Sequence, residues 1–165
     1  MLTLTSPAFA NGAAIPARHT CDDADRSPAL RWSGAPEGTR SFALIVHDPD
    51  APDPARPQRD WVHWLAYDIP ATTAALPEGA GNGDPAAPMH WAQTDAESSG
   101  YHGPCPPIGR HRYFFELYAL DTVLGPLGAR ARRADLERAM QGHVLARAEL
   151  MGTYIHAADP RRRHR

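Results

Sequence analysis

Lysine is missing from this chain: all 17 lysine-or-arginine side chains are arginine. A preference that complete has no obvious role in one fold and reads as a bias of the genome. A phosphate-binding loop of the P-loop kind needs that lysine, so Gly79-x-Gly81-x-Gly83 reads as a flexible loop; it also lacks the third glycine of a dinucleotide fingerprint and a preceding strand. Only two cysteines occur, too few for a disulfide scaffold and not spaced as a zinc site. Cys21 and Cys105 are expected to be free, reduced thiols; a single long-loop bridge requires a fold that brings them together. No apolar run approaches the ~20 residues of a membrane span, so no integral membrane segment is expected. The opening MLTLTSPAFANG lacks the basic start and continuous apolar core of a secretion signal, which makes a cytoplasmic protein the expectation. Excess positive charge is lacking as well: a formal net charge of −2 argues against a nucleic-acid partner. No Gly-x-Ser-x-Gly elbow and no His-Glu-x-x-His metal motif occurs, which argues against the common hydrolase designs.

What is present reads as many strands and turns. A single domain over 1–158 fits 165 residues, with 17 prolines and 13 glycines scattered without repeat. Leu2 and Leu4 alternate as a first strand, and Asn11-Gly12 makes a turn. Leu30 and Trp32 share one face of a short strand, and Ala35-Pro36-Glu37-Gly38 is turn chemistry. Phe42-Ala43-Leu44-Ile45-Val46 is apolar without interruption, as a strand buried on both faces would be. It is expected to stop at His47-Asp48-Pro49-Asp50-Ala51-Pro52, because Pro49 and Pro52 cannot donate to a ladder. Asp53–Asp60 reads as a proline-rich loop, Val62–Tyr67 as a strand closed by Pro70, and Leu76–Tyr101 as a long loop. Tyr113–Leu120 is another strand.

Asp135–Met151 switches to helical spacing, with Leu136, Ala139, Met140, His143, Val144 and Met151 close to one face. Gly142 could split it into two short helices, Gly152 could stop it, and Asp135 could serve as the missing cap near Arg132. Thr153–Ile155 could add a last strand. The arginine-rich tail 159–165 is expected to be disordered, a frayed and solvated end. Strands do not alternate with helices, so the fold class is mainly β, an antiparallel sandwich with a few peripheral C-terminal helices.

Candidate chemistry gathers at strand ends. Asp48, Asp50, His63 and His111 each sit at such an end or just inside one, and His111 and Tyr113 share a face if the strand has begun. Imidazoles donate to anions and gain charge near neutral pH, and Tyr113 adds a neutral donor. The acids cannot accept from an ionised phosphate, so they would orient histidines, grip turn N–H groups or meet an amine.

His47-Asp48-Pro49-Asp50-Ala51-Pro52, then Trp61-Val62-His63-Trp64, then Tyr101-x-Gly-Pro-Cys-Pro-Pro-x-Gly-x-His-Arg-Tyr113 resemble, in this order, the signature blocks of the phosphatidylethanolamine-binding protein family. Ser27–Trp32, Ile69-Pro70, Leu76-Pro77-Glu78-Gly79 and Gly142–Tyr154 resemble its bacterial and archaeal branch. That family includes the Raf kinase inhibitor protein. The resemblance runs from about Phe9 to Tyr154. It implies a Greek-key sandwich and a pocket for a phosphate-like anion or phospholipid headgroup, formed by Asp48, Asp50, His63, His111, Tyr113 and Pro107, with Trp61 beside the first histidine. It implies a homodimer and, in some relatives, regulation of a partner kinase or protease; no cofactor is expected. Met89-His90-Trp91 departs from the asparagine-containing segment of bacterial relatives and puts the pocket rim in question. The alternatives are a small hydrolase using the same pocket, whose two histidines and two acids could hold a metal, and a purely structural domain.

Overall fold

The computed structural model describes residues 1–163. Eight strands and one α-helix follow in chain order: β1 (Thr3–Thr5), β2 (Leu30–Ser33), β3 (Ser41–Ala51), β4 (Arg59–Pro70), β5 (Ala75–Leu76), β6 (His90–Trp91), β7 (Arg110–Leu120), α1 (Arg133–Met140) and β8 (Val144–Ile155). They form a three-stranded sheet in the order β1-β2-β5 and a five-stranded sheet in the order β6-β4-β3-β7-β8, with antiparallel pairing throughout. The small sheet covers one face of the large one, and α1 covers the other. No helix among the described residues is long and apolar enough to cross a membrane.

The uninterrupted apolar run of β3 follows from this position at the centre of the large sheet. Phe42, Leu44 and Val46 enter the core between the sheets, with Leu30, Trp32, Trp64, Phe115 and Leu117. Ala43 and Ile45 point the other way, into a second core with Leu65, Tyr67, Leu120, Leu136 and Met140. The expected end of the strand at His47 is corrected: β3 continues to Ala51. Between Asp48↔Trp61 and Ala51↔Arg59 the pairing skips one extra residue on β3. This bulge holds Pro49 and removes the need for its missing donor.

A second expectation is overturned at the C-terminal end. The helix runs only from Arg133 to Met140, and Val144–Ile155 is a 12-residue strand paired along the whole of β7. Gly142, at φ +84°, turns the chain out of the helix rather than joining two helices, and His143 lies in the turn. Ala148, Leu150, Gly152 and Tyr154 alternate inward along β8, a period-two pattern hidden within residues that also fit a helix. Gly152 is no helix stop; a β-carbon there would lie 2.5 Å from Ile15 Cγ1. Asp135 is not the cap itself: Arg132 holds that position, and Asp135, three residues on, accepts from its N–H at 2.9 Å and closes the first turn. Asp159 is buried and accepts from Gly109 N–H at 2.7 Å, and Pro160–Arg163 form a short 3-10 turn. The start of the expected loose tail is therefore tied to the Cys-Pro-Pro loop, and residues 164 and 165 lie outside the described residues.

Candidate functional site

The site lies where β3, β4 and β7 begin or end together. Inward positions on β7 alternate as His111, Tyr113, Phe115 and Leu117, so the core stripe continues outward as an imidazole and a phenol. On β4 the pairing passes from Val46↔Trp64 to His47↔Val62 and leaves His63 as an extra residue. That bulge changes the side-chain parity: Trp64 stays in the core, while His63 also turns inward, beside Tyr113. Asp48 follows Val46 on the inward face of β3.

The opposite wall comes from two loops. Cys21 and Cys105 are joined by a disulfide across 84 residues, with their Cα atoms 5.4 Å apart, which overturns the expectation of two free thiols. Cys21 N–H donates to the Pro104 carbonyl at 3.1 Å, and Tyr101 Oη–H donates to the His19 carbonyl at 2.7 Å. Gly103 N–H donates to Asp25 Oδ1 at 3.0 Å. A β-carbon on Gly103 would lie 2.2 Å from that oxygen and 2.3 Å from the His19 carbonyl oxygen, so only glycine fits.

These walls enclose a cavity of about 540 Å³ lined by Asp48, Trp61, His63, Pro107, His111 and Tyr113 among others. Asp50 alone of the expected site residues does not line it. Its carboxylate accepts from Arg112 N–H at 2.9 Å and from the Arg112 guanidinium at 3.0 and 2.8 Å. Burial alone would raise its pKa, but the Arg112 bonds win and hold it low. Asp50 is thus a residue of the turn. Met89, His90 and Trp91 also lie off the lining: His90 packs on Tyr67 and Trp91 on Trp64. The departure at that segment therefore leaves the rim untouched.

His111 is fully buried and held at both ring nitrogens. Nδ1 lies 2.5 Å from Asp48 Oδ2, and Nε2 lies 2.9 Å from the Ile108 carbonyl and 3.1 Å from the Pro52 carbonyl. A carboxylate and two carbonyl oxygens surround the ring, so its surroundings favour the doubly protonated form. Burial opposes that charge, but the Asp48 carboxylate overrides it and the pKa is raised. His63 is the opposite case. Its Nδ1–H donates to the His102 carbonyl at 2.5 Å, and burial drives its pKa down to about 4, so the ring is neutral and Nε2 carries a lone pair. Tyr113 packs edge-on against His63, with centroids 5.2 Å apart. Its hydroxyl is buried without a hydrogen-bond partner among the described residues, and burial pushes its pKa up.

Sequence reasoning missed Asp25, Gln58, Arg59, Ala96 and His102, which also line the cavity. Arg59 sits over the Trp61 ring at 4.5 Å, and its spacing of two from Trp61 on a strand was the available signal. Nothing local marks Ala96 or Asp25, which arrive on separate loops.

The comparisons agree with this geometry. The phosphatidylethanolamine-binding protein family profile matches residues 5–155. A UPF0098 protein of Chlamydia pneumoniae is 44% identical over 156 residues, spanning 93% of this chain and 98% of the relative. A UPF0098 protein of Methanothermobacter thermautotrophicus is 43% identical over 155 residues, with the same coverage. Among solved structures, a phosphatidylethanolamine-binding protein homologue of Chlamydia trachomatis superposes with TM-score 0.84 at 40% identity, covering 93% of this chain and 97% of that one. E. coli YbcL, described as a member of the mammalian family, gives 0.83 at 34% identity with the same coverage. With the sandwich, the ordered motifs and the match over almost the whole chain in agreement, this chain belongs to the phosphatidylethanolamine-binding protein family.

Proposed function

We propose that this chain binds a small phosphate-like anion, as borne by a phospholipid headgroup such as phosphoethanolamine, in the cavity beside Tyr113. The observation that carries the reading is the Tyr113 hydroxyl, a buried donor on the cavity wall without a partner among the described residues. Leaving such a group unpaired costs roughly 1–3 kcal/mol, which a ligand oxygen would recover. His111 does not donate to the ligand, contrary to the role expected of it, because its N–H groups are already bonded within the protein. It contributes positive charge through space, balanced by Asp48.

Neutral His63 gives the pocket a chemical preference. Its Nε2 lone pair accepts a hydrogen, which an acid phosphate or an amine supplies. Inorganic phosphate still keeps one O–H after its second ionisation, whereas sulfate has none, and a phosphate monoester, whose second ionisation lies near ~6, can donate only through its amine. Phosphate is therefore preferred to sulfate at neutral pH. An anion also favours protonated His63 and raises its pKa in the complex. Affinity then rises as pH falls from the complexed value toward the free value of about 4. The apolar part of the wall, Trp61, Pro52, Pro106 and Pro107, suits the methylene chain of a headgroup. The lining includes no serine or threonine beside His111, and this supports binding over bond cleavage. Regulation of a partner kinase or protease would be a use of the loaded pocket.

Calorimetric titration with phosphate, phosphoethanolamine and sulfate at pH 7 tests the reading. Tyr113→Phe should weaken phosphate at least about tenfold, as loss of a hydrogen bond to a charged group implies. His143→Ala, in an exposed turn away from the cavity, should leave it unchanged. Phosphoethanolamine binding more tightly than phosphate identifies a headgroup site. Equal affinity of wild type and Tyr113→Phe for all three would refute the pocket as the anion site.

A further inference from the structure

We propose that Cys21, Cys105 and His156 form a site for a thiophilic divalent cation of the zinc(II) type, open only when the disulfide is reduced. One sulfur from each cysteine and one ring nitrogen of His156 all lie within 4.8 Å of one another. Three separate segments supply them: the turn after His19, the Cys-Pro-Pro loop, and the chain just beyond β8. No sequence spacing advertises the set, because 84 residues separate the cysteines.

The geometry is close to what zinc requires. In a tetrahedral site with Zn–S near 2.3 Å and Zn–N near 2.0 Å, the ligand atoms stand about 3.5–3.8 Å apart. The present separations are within reach by side-chain rotation, with the Cα atoms of the cysteines already 5.4 Å apart. Both cysteines are solvent-exposed and His156 is partly so, which gives reductant and ion a path of entry. Asp22 flanks the imidazole, its Oδ1 3.4 Å from His156 Nε2 and its Oδ2 held by Tyr154 Oη–H and by Ala157 N–H at 2.8 Å. His156 Nδ1 accepts from Ala158 N–H at 3.0 Å, a bond that ligation through Nδ1 would replace. A carboxylate fixed beside a ligating histidine is the usual outer shell of a zinc site. Two thiolates, one imidazole and one water complete four positions.

The chemistry runs in two balanced steps. A dithiol reductant gives two electrons and two protons to the Cys21–Cys105 bond, which becomes two thiols, and the reductant leaves as its own disulfide. Zinc(II) then displaces both thiol protons to solvent as it binds the thiolates. Disulfide and metal exclude each other, since each uses the same sulfur atoms. The proposal does not rest on the anion reading, because none of the groups assigned to the anion is a ligand here.

The test uses the full chain, reduced anaerobically with a phosphine and freed of it, then titrated with cobalt(II) and with zinc(II) against a chromophoric chelator. Reduced protein should bind one ion per chain, with thiolate-to-cobalt charge-transfer absorption, and oxidised protein should show neither. His156→Ala keeps both thiols and should bind more than about tenfold more weakly. Cys105→Ser should lose the charge-transfer band of the paired thiolates, and His143→Ala should retain full binding. Circular dichroism of the reduced wild type establishes that the comparison is between folded proteins. Equal binding by oxidised and reduced protein, no stoichiometric binding by the reduced form, or unchanged affinity in His156→Ala would each overturn the site.

Discussion

His47 offers a direct test of the electrostatics on the outer face of the large sheet. It is 7% exposed and clamped between two carboxylates: Nδ1 is 2.7 Å from Asp60 Oδ1, and Nε2 is 3.1 Å from Glu116 Oε2. Arginines flank the cluster, and two further acids, Glu149 opposite Glu116 and Glu137 on α1, share them. Arg133 of α1 meets Asp60 at 3.1 Å, Arg147 of β8 meets Glu116 at 2.6 Å, and Arg112 lies over Phe114, on which His47 stacks. Burial opposes the imidazolium, but the Asp60 hydrogen bond and the nearby Glu116 carboxylate overcome it and raise the pKa from 6.5 to about 9. Burial likewise raises Glu116, yet nearby His47 and the bond from Tyr118 bring it from 4.5 to about 2. The two displacements are views of one attraction and are not added.

At about 1.36 kcal/mol per pH unit, the difference between 6.5 and about 9 makes the charged clasp worth about 3 kcal/mol of stability. The folded value is raised, so this contribution is fully present below pH 6.5 and is lost as pH rises through about 9. The acid limb lies far lower, where Glu116 is protonated near 2. Urea unfolding with the disulfide intact, measured from about pH 6 to 10, provides the assay. Wild type minus His47→Gln removes the background of other titrating groups. The difference should be greatest at the acid end and shrink by about 3 kcal/mol toward the alkaline end, with a slope no steeper than about 1.4 kcal/mol per pH unit. A difference that stays flat across this range, or grows with pH, would refute the assignment of an imidazolium.

Gly103→Ala should destabilise the fold by about 1–3 kcal/mol and weaken any ligand of the cavity, since its β-carbon would displace Asp25 and the His19 carbonyl; urea midpoints and calorimetry read the two effects. Leu136→Ala removes a fully buried side chain that docks α1 on the sheet and should cost about 2–4 kcal/mol in urea unfolding, with the cavity's affinity unchanged. Reducing the Cys21–Cys105 bond, which closes 84 residues, should lower the unfolding free energy by up to about 4–5 kcal/mol, read as a shift in the urea midpoint between oxidised and reduced protein.

Much of the sandwich was legible because its signals are local. An uninterrupted apolar run implies two covered faces, and Phe42 to Val46 meets cores on both. The ordered blocks around Asp48, His63 and His111 pointed to side chains that line one cavity. What stayed hidden depends on partners distant in the chain. Val144–Met151 fits a helix by spacing, and only the free edge of β7 makes it part of a strand, a tertiary contact overriding local preference. The inward turn of His63 arises from one extra residue in its pairing with β3, which no reading of β4 alone contains. The state of His111 depends on the Pro52 and Ile108 carbonyls meeting one ring nitrogen, and the disulfide on two loops converging.

The Asp-Pro-Asp-Ala-Pro turn owes its composition to the point at which the backbone ladder fails. Pairing between β3 and β7 ends at His47↔Phe114, and Pro49 and Pro52 beyond it have no N–H to offer. The next N–H groups still need acceptors, and the carboxylates supply them: Asp50 accepts from Arg112 N–H at 2.9 Å, and Asp48 from Asp50 N–H at 2.7 Å. Each acid therefore takes over a bond that a continuing strand would have made through its backbone. Asp48 has a second oxygen left, and it bonds His111 Nδ1 on the cavity wall and favours the charged ring. A short residue with two acceptor oxygens is what this position requires. Asp48→Asn would keep one acceptor and lose the charge that sustains the imidazolium, separating the structural duty of this turn from its electrostatic one.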